Sequence, residues 1–203
     1  INHFKMLKEY FNYSGHFVIR STNNFPLGSG LASSASSFAA LTKCACSALS
    51  ELTHQPLPDE STQAQLSRLG SGSSCRSFFS PWALWDNDQC DKIILPYDDL
   101  IHHVVIISEK EKEISSKHAH QAVQTSPLYQ FRTARARDRL KTLIEAFNNS
   151  DWQKAYQICW DEFMDMHELF TTCNHPFNYI TPDSQKVLNH LQDFWKAHQD
   201  GPI

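Results

Sequence analysis

The sequence has no field of positive charge: 18 Lys and Arg stand against 22 Asp and Glu, a formal net charge of -4. A chain that grips a nucleic-acid backbone needs the opposite balance, so no nucleic-acid partner is expected. Its one basic cluster, Arg132, Arg135, Arg137 and Arg139, is interrupted by Asp138 and has no aromatics between its members. That pattern reads as the solvated start of a helix. No apolar run approaches the ~18 residues of a membrane helix, so no membrane partner is expected either. The six cysteines lack the spacing of a secreted disulfide framework, which predicts reduced thiols in a cytoplasmic protein. Cys44 and Cys46 stand two apart in a helical run and share no face, so no metal site is read there or elsewhere. Internal repeats and low-complexity tracts are absent as well.

What is present is a folded chain of 203 residues, 41% hydrophobic and 20% charged. Residues 3–11 place Phe4, Leu7, Tyr10 and Phe11 on one helical face. Residues 16–20 read as a short strand. The Ala/Ser-rich run from Leu31 to Leu52 reads as a long, closely packed helix, and residues 61–69 as a short one ended by Gly70. Segments 80–85 and 93–95 read as a hairpin joined at Asp86-Asn87-Asp88. Val104 to Ile107 reads as a buried strand, with His102 and His103 on its opposite faces, and 110–116 as a charged loop. The last third is helical: 135–148, then Trp152, Ala155, Tyr156, Cys159, Phe163, Met166 and Phe170 at core spacing, then Val187 to Trp195. The class is α+β, with a domain boundary near 108–118. The chain opens on Ile1 and closes on Asp200-Gly201-Pro202-Ile203, a turn leading into an apolar residue; incompleteness at both ends is the expectation.

Three loops can carry chemistry. The first, from Pro26 through Gly28-Ser29-Gly30 to Leu31-Ala32-Ser33-Ser34-Ala35, feeds directly into the long helix. A helix start offers unpaired N–H groups and a partial positive charge, and small side chains let an anion reach them. It lacks the lysine of a Gly-x-x-x-x-Gly-Lys-Ser/Thr loop. An ordinary N-cap by Ser29, Ser33 or Ser34 explains the same residues equally well. The second loop, Gly70-Ser71-Gly72-Ser73-Ser74-Cys75-Arg76-Ser77, joins glycine freedom and hydroxyls to an arginine that suits a carboxylate or phosphate. The third, Lys110 to Lys117, is by itself a charged surface turn that adds Ser115, Ser116 and cations.

The run Asn23-Asn24-Phe25-Pro26 followed by Gly30-Leu31-Ala32-Ser33-Ser34-Ala35 resembles the phosphate-binding motif of the GHMP kinase superfamily. The second loop, from Ser67 to Ser77, resembles the signature of one branch, the diphosphomevalonate decarboxylases. Thr125-Ser126-Pro127-Leu128 and Met166-His167 also sit where that branch has similar residues. The resemblance spans nearly the whole chain. It implies a GHMP kinase-like two-domain fold: residues 1–108 as part of a ribosomal-protein-like β-α ATP-binding domain, and 109–203 as part of a ferredoxin-like, helical C-terminal domain.

It implies ATP and Mg2+ as cofactors, mevalonate 5-diphosphate as substrate, isopentenyl diphosphate as product, and a homodimer. Gly30, Leu31, Ala32, Ser33, Ser34 and Ala35 would hold the ATP phosphates. Arg76 would grip the substrate carboxylate, with Ser73 beside it in the catalytic set. Ser71 and Ser73 would bind substrate, and Ser116 and Lys117 its diphosphate. Lys117 stands where an arginine is usual, and His118-Ala119-His120 replaces a Gly-Met-containing stretch. The family's catalytic aspartate lies in an Asp-Ala-Gly-Pro motif that these 203 residues do not contain, so the chain by itself is expected to be inactive. Relatives acting on another mevalonate phosphate, or an inactive nucleotide-binding protein, are the alternatives. The whole reading requires the two serine-lined loops to fold toward each other.

Overall fold

The computed structural model describes residues 2–25, 30–97, 100–108 and 114–199, with the Lys117 side chain outside that set. The chain divides into two compact units, Ile1–Ile94 and Leu95–Ile203. The boundary expected between 108 and 109 abuts residues 109–113, which lie outside the described residues.

In the first unit, α1 (Asn2–Tyr10) leads to α2 (Ser33–Thr53), α3 (Glu60–Arg68), a 3-10 helix (Gly72–Phe78) and a hairpin of β1 (Trp82–Asp86) and β2 (Gln89–Ile93). The amphipathic spacing read for α1 buries Leu7, with Phe11 just beyond the helix, against Ala45, Cys46 and Leu49 of α2 and Leu66 of α3. Leu7 and Leu49 are fully enclosed. Burying each contributes roughly 1.5–3 kcal/mol. The alanines of α2 let its neighbours approach closely. Ala39, Ala64, Cys75, Phe78 and Cys90 form a second cluster that clamps the 3-10 helix and β2 onto α2 and α3. Asp59 caps α3 by accepting from the Thr62 N–H at 2.7 Å. The strands are antiparallel, registering Trp82 with Ile93 and Asp86 with Gln89. Asn87 turns the chain at φ 53°, the left-handed conformation that a two-residue hairpin loop demands.

The second unit holds α4 (Ser116–Ala122), α5 (Arg132–Asn148), α6 (Trp152–Thr172) and α7 (Pro182–His198). Ala119 and Val123 pack on Leu169 and Phe170 near the end of α6. Tyr179 Oη donates to the Ile114 carbonyl at 2.8 Å and fixes the entry to α4. Ser126 is buried and shares a 2.7 Å hydrogen bond with Thr172 Oγ1, which ties the Thr125-Ser126-Pro127-Leu128 turn to α6. Tyr97 packs on Trp152, ring centres 4.6 Å apart.

The described chain is therefore mixed, with many helices and a single hairpin. Several expectations are corrected. Residues 16–20 and 104–107 join no sheet among the described residues. Val104, Val105 and Ile106 are 59%, 64% and 68% exposed, and His102 and His103 are exposed too. β-branched content marks these runs as strand formers, but a strand exists only where a neighbour takes its N–H and C=O groups. The second loop is a 3-10 helix rather than an open loop, because buried Cys75 and Phe78 pull it onto the core. Ser116 and Lys117 open a helix instead of closing a loop. The arginine cluster is not a solvated helix start. Arg132, Arg135 and Arg139 turn from α5 onto Glu162 and Asp165 of α6, with Arg135 Nη2 at 2.7 Å and Arg139 Nη1 at 2.5 Å from the buried Asp165 carboxylate. Among the described residues no helix is long and apolar enough to cross a membrane.

Candidate active site

The first loop enters α2 through two left-handed residues, Gly30 at φ 86° and Ala32 at φ 54°. Glycine adopts this conformation freely; alanine does so at a cost that surrounding structure must offset. Ala32 is the N-cap of α2, and no side chain caps the helix among the described residues. The first intrahelical bond runs from the Ser36 N–H to the Ala32 carbonyl at 3.1 Å. Among the described residues no group takes the N–H groups before it, at the positive end of a 21-residue helix. The N-cap alternative fails for Ser33 and Ser34, which lie inside the helix; Ser29, with Pro26 to Gly28, lies outside the described residues. The small residues are placed by function of the fold as well: Ala35 is buried, while Leu31 stays on the surface.

The second loop reaches the first. Ser34 Oγ donates to Ser71 Oγ at 3.1 Å, a contact between residues 37 apart in sequence. Three features hold Ser71 there. The Ser67 hydroxyl donates to the Ser74 hydroxyl inside the core, and Ser74 Oγ donates to the Ser71 carbonyl at 2.6 Å. Gly70 lies against Phe38 of α2 and His3 of α1, where a side chain has no room. His3 is itself fixed by a 2.8 Å hydrogen bond to Thr42, and burial lowers its pKa. Ser73 is half-buried and Arg76 exposed on the same 3-10 helix. Among the described residues no hydrogen bond or ion pair occupies the Arg76 guanidinium. It lies over the indole of Trp85, 5.9 Å from the ring centre.

Cys75, next to Arg76, is fully enclosed and packs with Cys90. Burial, then the hydrogen bond with Cys75, pushes the Cys90 thiol up to about 12. All six cysteines are free thiols, and those two are structural rather than nucleophilic. In the second unit, Ser116 is exposed in the first turn of α4, and Ser115 caps that turn by accepting from the His118 N–H at 3.3 Å. Ser67 and Ser74 stood in the second-loop signature and Trp85 in the hairpin segment, but neither pattern assigned any of them a role of its own at the site. Only the serine density around Gly70 and the strand period of Trp85 hinted at them.

Among the described residues, the uncapped start of α2 is joined through the Ser34–Ser71 hydrogen bond to the 3-10 helix that carries Arg76, and helix N–H groups and a guanidinium are both chemically suited to anions. A family model described as the diphosphomevalonate decarboxylase-like N-terminal domain matches residues 1–93, and one described as the mevalonate 5-diphosphate decarboxylase C-terminal domain matches residues 102–201. The chain belongs to the diphosphomevalonate decarboxylase family. It is similar to a mevalonate diphosphate decarboxylase from Legionella pneumophila of known crystal structure, with 60% identity and a TM-score of 0.94, over 100% of this chain and 64% of that one. Diphosphomevalonate decarboxylases from Candida albicans and Ganoderma lucidum are 30% and 31% identical over 186 and 189 residues, covering 86% and 87% of this chain. The chain spans about half the length of these two relatives, 50% and 46%.

Proposed function

We propose that the protein carrying this chain is an ATP-dependent decarboxylase acting on mevalonate 5-diphosphate and yielding isopentenyl diphosphate. The observation that carries this reading is the Ser34–Ser71 hydrogen bond, which sets a phosphate-type helix start against the loop bearing Ser73 and Arg76. The uncapped first turn and the left-handed backbone at Gly30 and Ala32 suit a polyphosphate. Mg2+-bound ATP, when present, supplies the phosphoryl group that makes the substrate's tertiary 3-hydroxyl a leaving group.

The residues then divide the work. Gly30 to Ala35 hold the nucleotide's phosphates, with Ser33 and Ser34 as hydroxyl donors. Ser71 and Ser73 hold substrate. Arg76 grips the carboxylate in a planar, bidentate geometry, so that the breaking C–C bond lies where its electrons fill the position that the 3-phosphate vacates. Ser116 and Lys117 bind the diphosphate. Residues 1–108 form part of a ribosomal-protein-like nucleotide domain and 109–203 part of a ferredoxin-like, helical one, in a cytoplasmic homodimer.

The test is product stoichiometry. The full-length protein, given mevalonate diphosphate and MgATP, is expected to release ADP and carbon dioxide in equal amounts. ADP without carbon dioxide favours a kinase of the same superfamily. Release of neither, with nucleotide still bound, favours a non-catalytic protein.

A further inference from the structure

An exposed arginine with free rotation is a poor instrument for holding a carboxylate at one angle. Something must set its direction without using the N–H groups that the ligand needs. An acidic partner would compete with the ligand for those donors. An aromatic face would not, because it attracts the cation through its ring and leaves the guanidinium edge open.

Trp85 supplies such a face. Its indole is half-buried against the cluster containing Cys75 and Cys90. Its Nε1–H donates to the Asn87 carbonyl at 2.9 Å, which fixes the ring on the hairpin. Strand pairing opposite Cys90 fixes its height. The ring also lies close to Gly72, the first residue of the 3-10 helix, where an added Cβ would sit 3.5 Å from Cη2. A second guanidinium, that of Arg68, lies 5.5 Å from the ring centre. Arg68 is neutralised where it stands: Nη2 meets Asp88 Oδ1 at 2.9 Å and Nη1 meets the Asp88 carbonyl at 2.5 Å, a carbonyl that Gln65 also holds at 2.7 Å. One arginine over the indole is thus tied into the hairpin, and the other, Arg76, keeps its donors.

We infer that Trp85 is the positioning residue of this site: its indole, braced by the Arg68–Asp88 pair, holds the Arg76 guanidinium edge-outward for the substrate carboxylate. The inference rests on the proposed role of Arg76 and adds the residue through which that role is exerted. Trp85 touches no reacting atom.

The experiment is a mutant set in the full-length protein, assayed for carbon dioxide release from mevalonate diphosphate. Trp85→Leu is expected to lower kcat tenfold or more while the KM for ATP moves less than twofold. Trp85→Phe, which keeps an aromatic face, stays within threefold of wild type. In an Arg76→Ala background, Trp85→Leu adds less than twofold, since nothing is left to position. Because Trp85→Leu also removes core packing, fluorinated tryptophans placed at position 85 give a second readout. They preserve shape and drain the ring face of charge, so kcat is expected to fall stepwise with fluorination. Full activity in Trp85→Leu with Arg76→Ala inactive, independent multiplication of the two losses, or activity indifferent to fluorination overturns the inference and leaves the function standing. Wild-type turnover in Arg76→Ala instead overturns the assigned role of Arg76, and the inference with it.

Discussion

Asp165 offers the sharpest test of how the second unit is held together. Its side chain is 8% exposed and faces three guanidiniums that are 16%, 31% and 27% exposed. Arg135 contributes Nε at 3.1 Å and Nη2 at 2.7 Å, Arg139 Nη1 stands at 2.5 Å, and Arg132 Nη1 at 3.6 Å. Asp165→Asn keeps the shape and removes the charge, leaving three cations facing one another with Glu162 on Arg132 and Arg139 and the charge of Glu168 near Arg135. Breaking a buried pair from one side costs about 3–5 kcal/mol, and partial hydration of the arginines argues for the lower end, roughly 3 kcal/mol. With a urea m-value of about 2 kcal/mol/M, the unfolding midpoint falls by roughly 1.5 M.

The pH dependence follows from the sign of the shift. Burial pushes the Asp165 carboxyl up, but hydrogen bonds and charge from Arg135 and Arg139 outweigh it and hold it below its ordinary value. A depressed carboxylate contributes stability that is fully present above its unfolded pKa of about 3.9 and lost as the pH falls through the folded value. Wild type therefore loses stability on this account below about pH 4, and the gap between wild type and Asp165→Asn narrows there. Urea denaturation followed by circular dichroism from pH 7 to 3 measures both effects. A midpoint shift near zero at pH 7, or a gap that widens in acid, refutes the argument.

Two further outcomes are expected. Gly70→Ala drives a Cβ into the Phe38 ring and to 2.9 Å from His3 Cγ, so it destabilises the first unit by roughly 1–3 kcal/mol; an unchanged melting temperature excludes the close approach that seats Ser71. At pH 8, iodoacetamide is expected to label the exposed Cys44 long before the buried Cys46 and Cys90, whose thiols are pushed up to about 11 and about 12; mass spectrometry showing early label on Cys90 contradicts the packed core.

The helices were legible because their apolar spacing is local. Leu7 and Phe11 face the core as the period of α1 requires and Phe4 packs against it, but Tyr10, read on the same face, is 47% exposed; α2 runs from Ser33 to Thr53, close to the Ala/Ser run without glycine or proline. The hairpin was legible from Asp86-Asn87-Asp88, although β2 begins earlier, at Gln89, because the turn takes only two residues. The run from Val104 to Ile107 misled, since strand propensity says nothing about whether a partner strand is at hand. Arg132, Arg135 and Arg139 misled for a related reason: their partners, Glu162 and Asp165, lie 23 to 33 positions away on α6.

The helical periods, the glycine and serine content of two loops, and a family resemblance carried by those loops could all be read from residue order alone. These depend on neighbouring residues and on backbone chemistry that any segment carries with it. That Ser34 meets Ser71, that Arg76 lies over Trp85 with no hydrogen bond from its donors among the described residues, and that Asp165 is enclosed by arginines was settled by packing between elements. Each of these joins residues from different elements. Such a meeting is set by how whole faces pack, which no local pattern encodes.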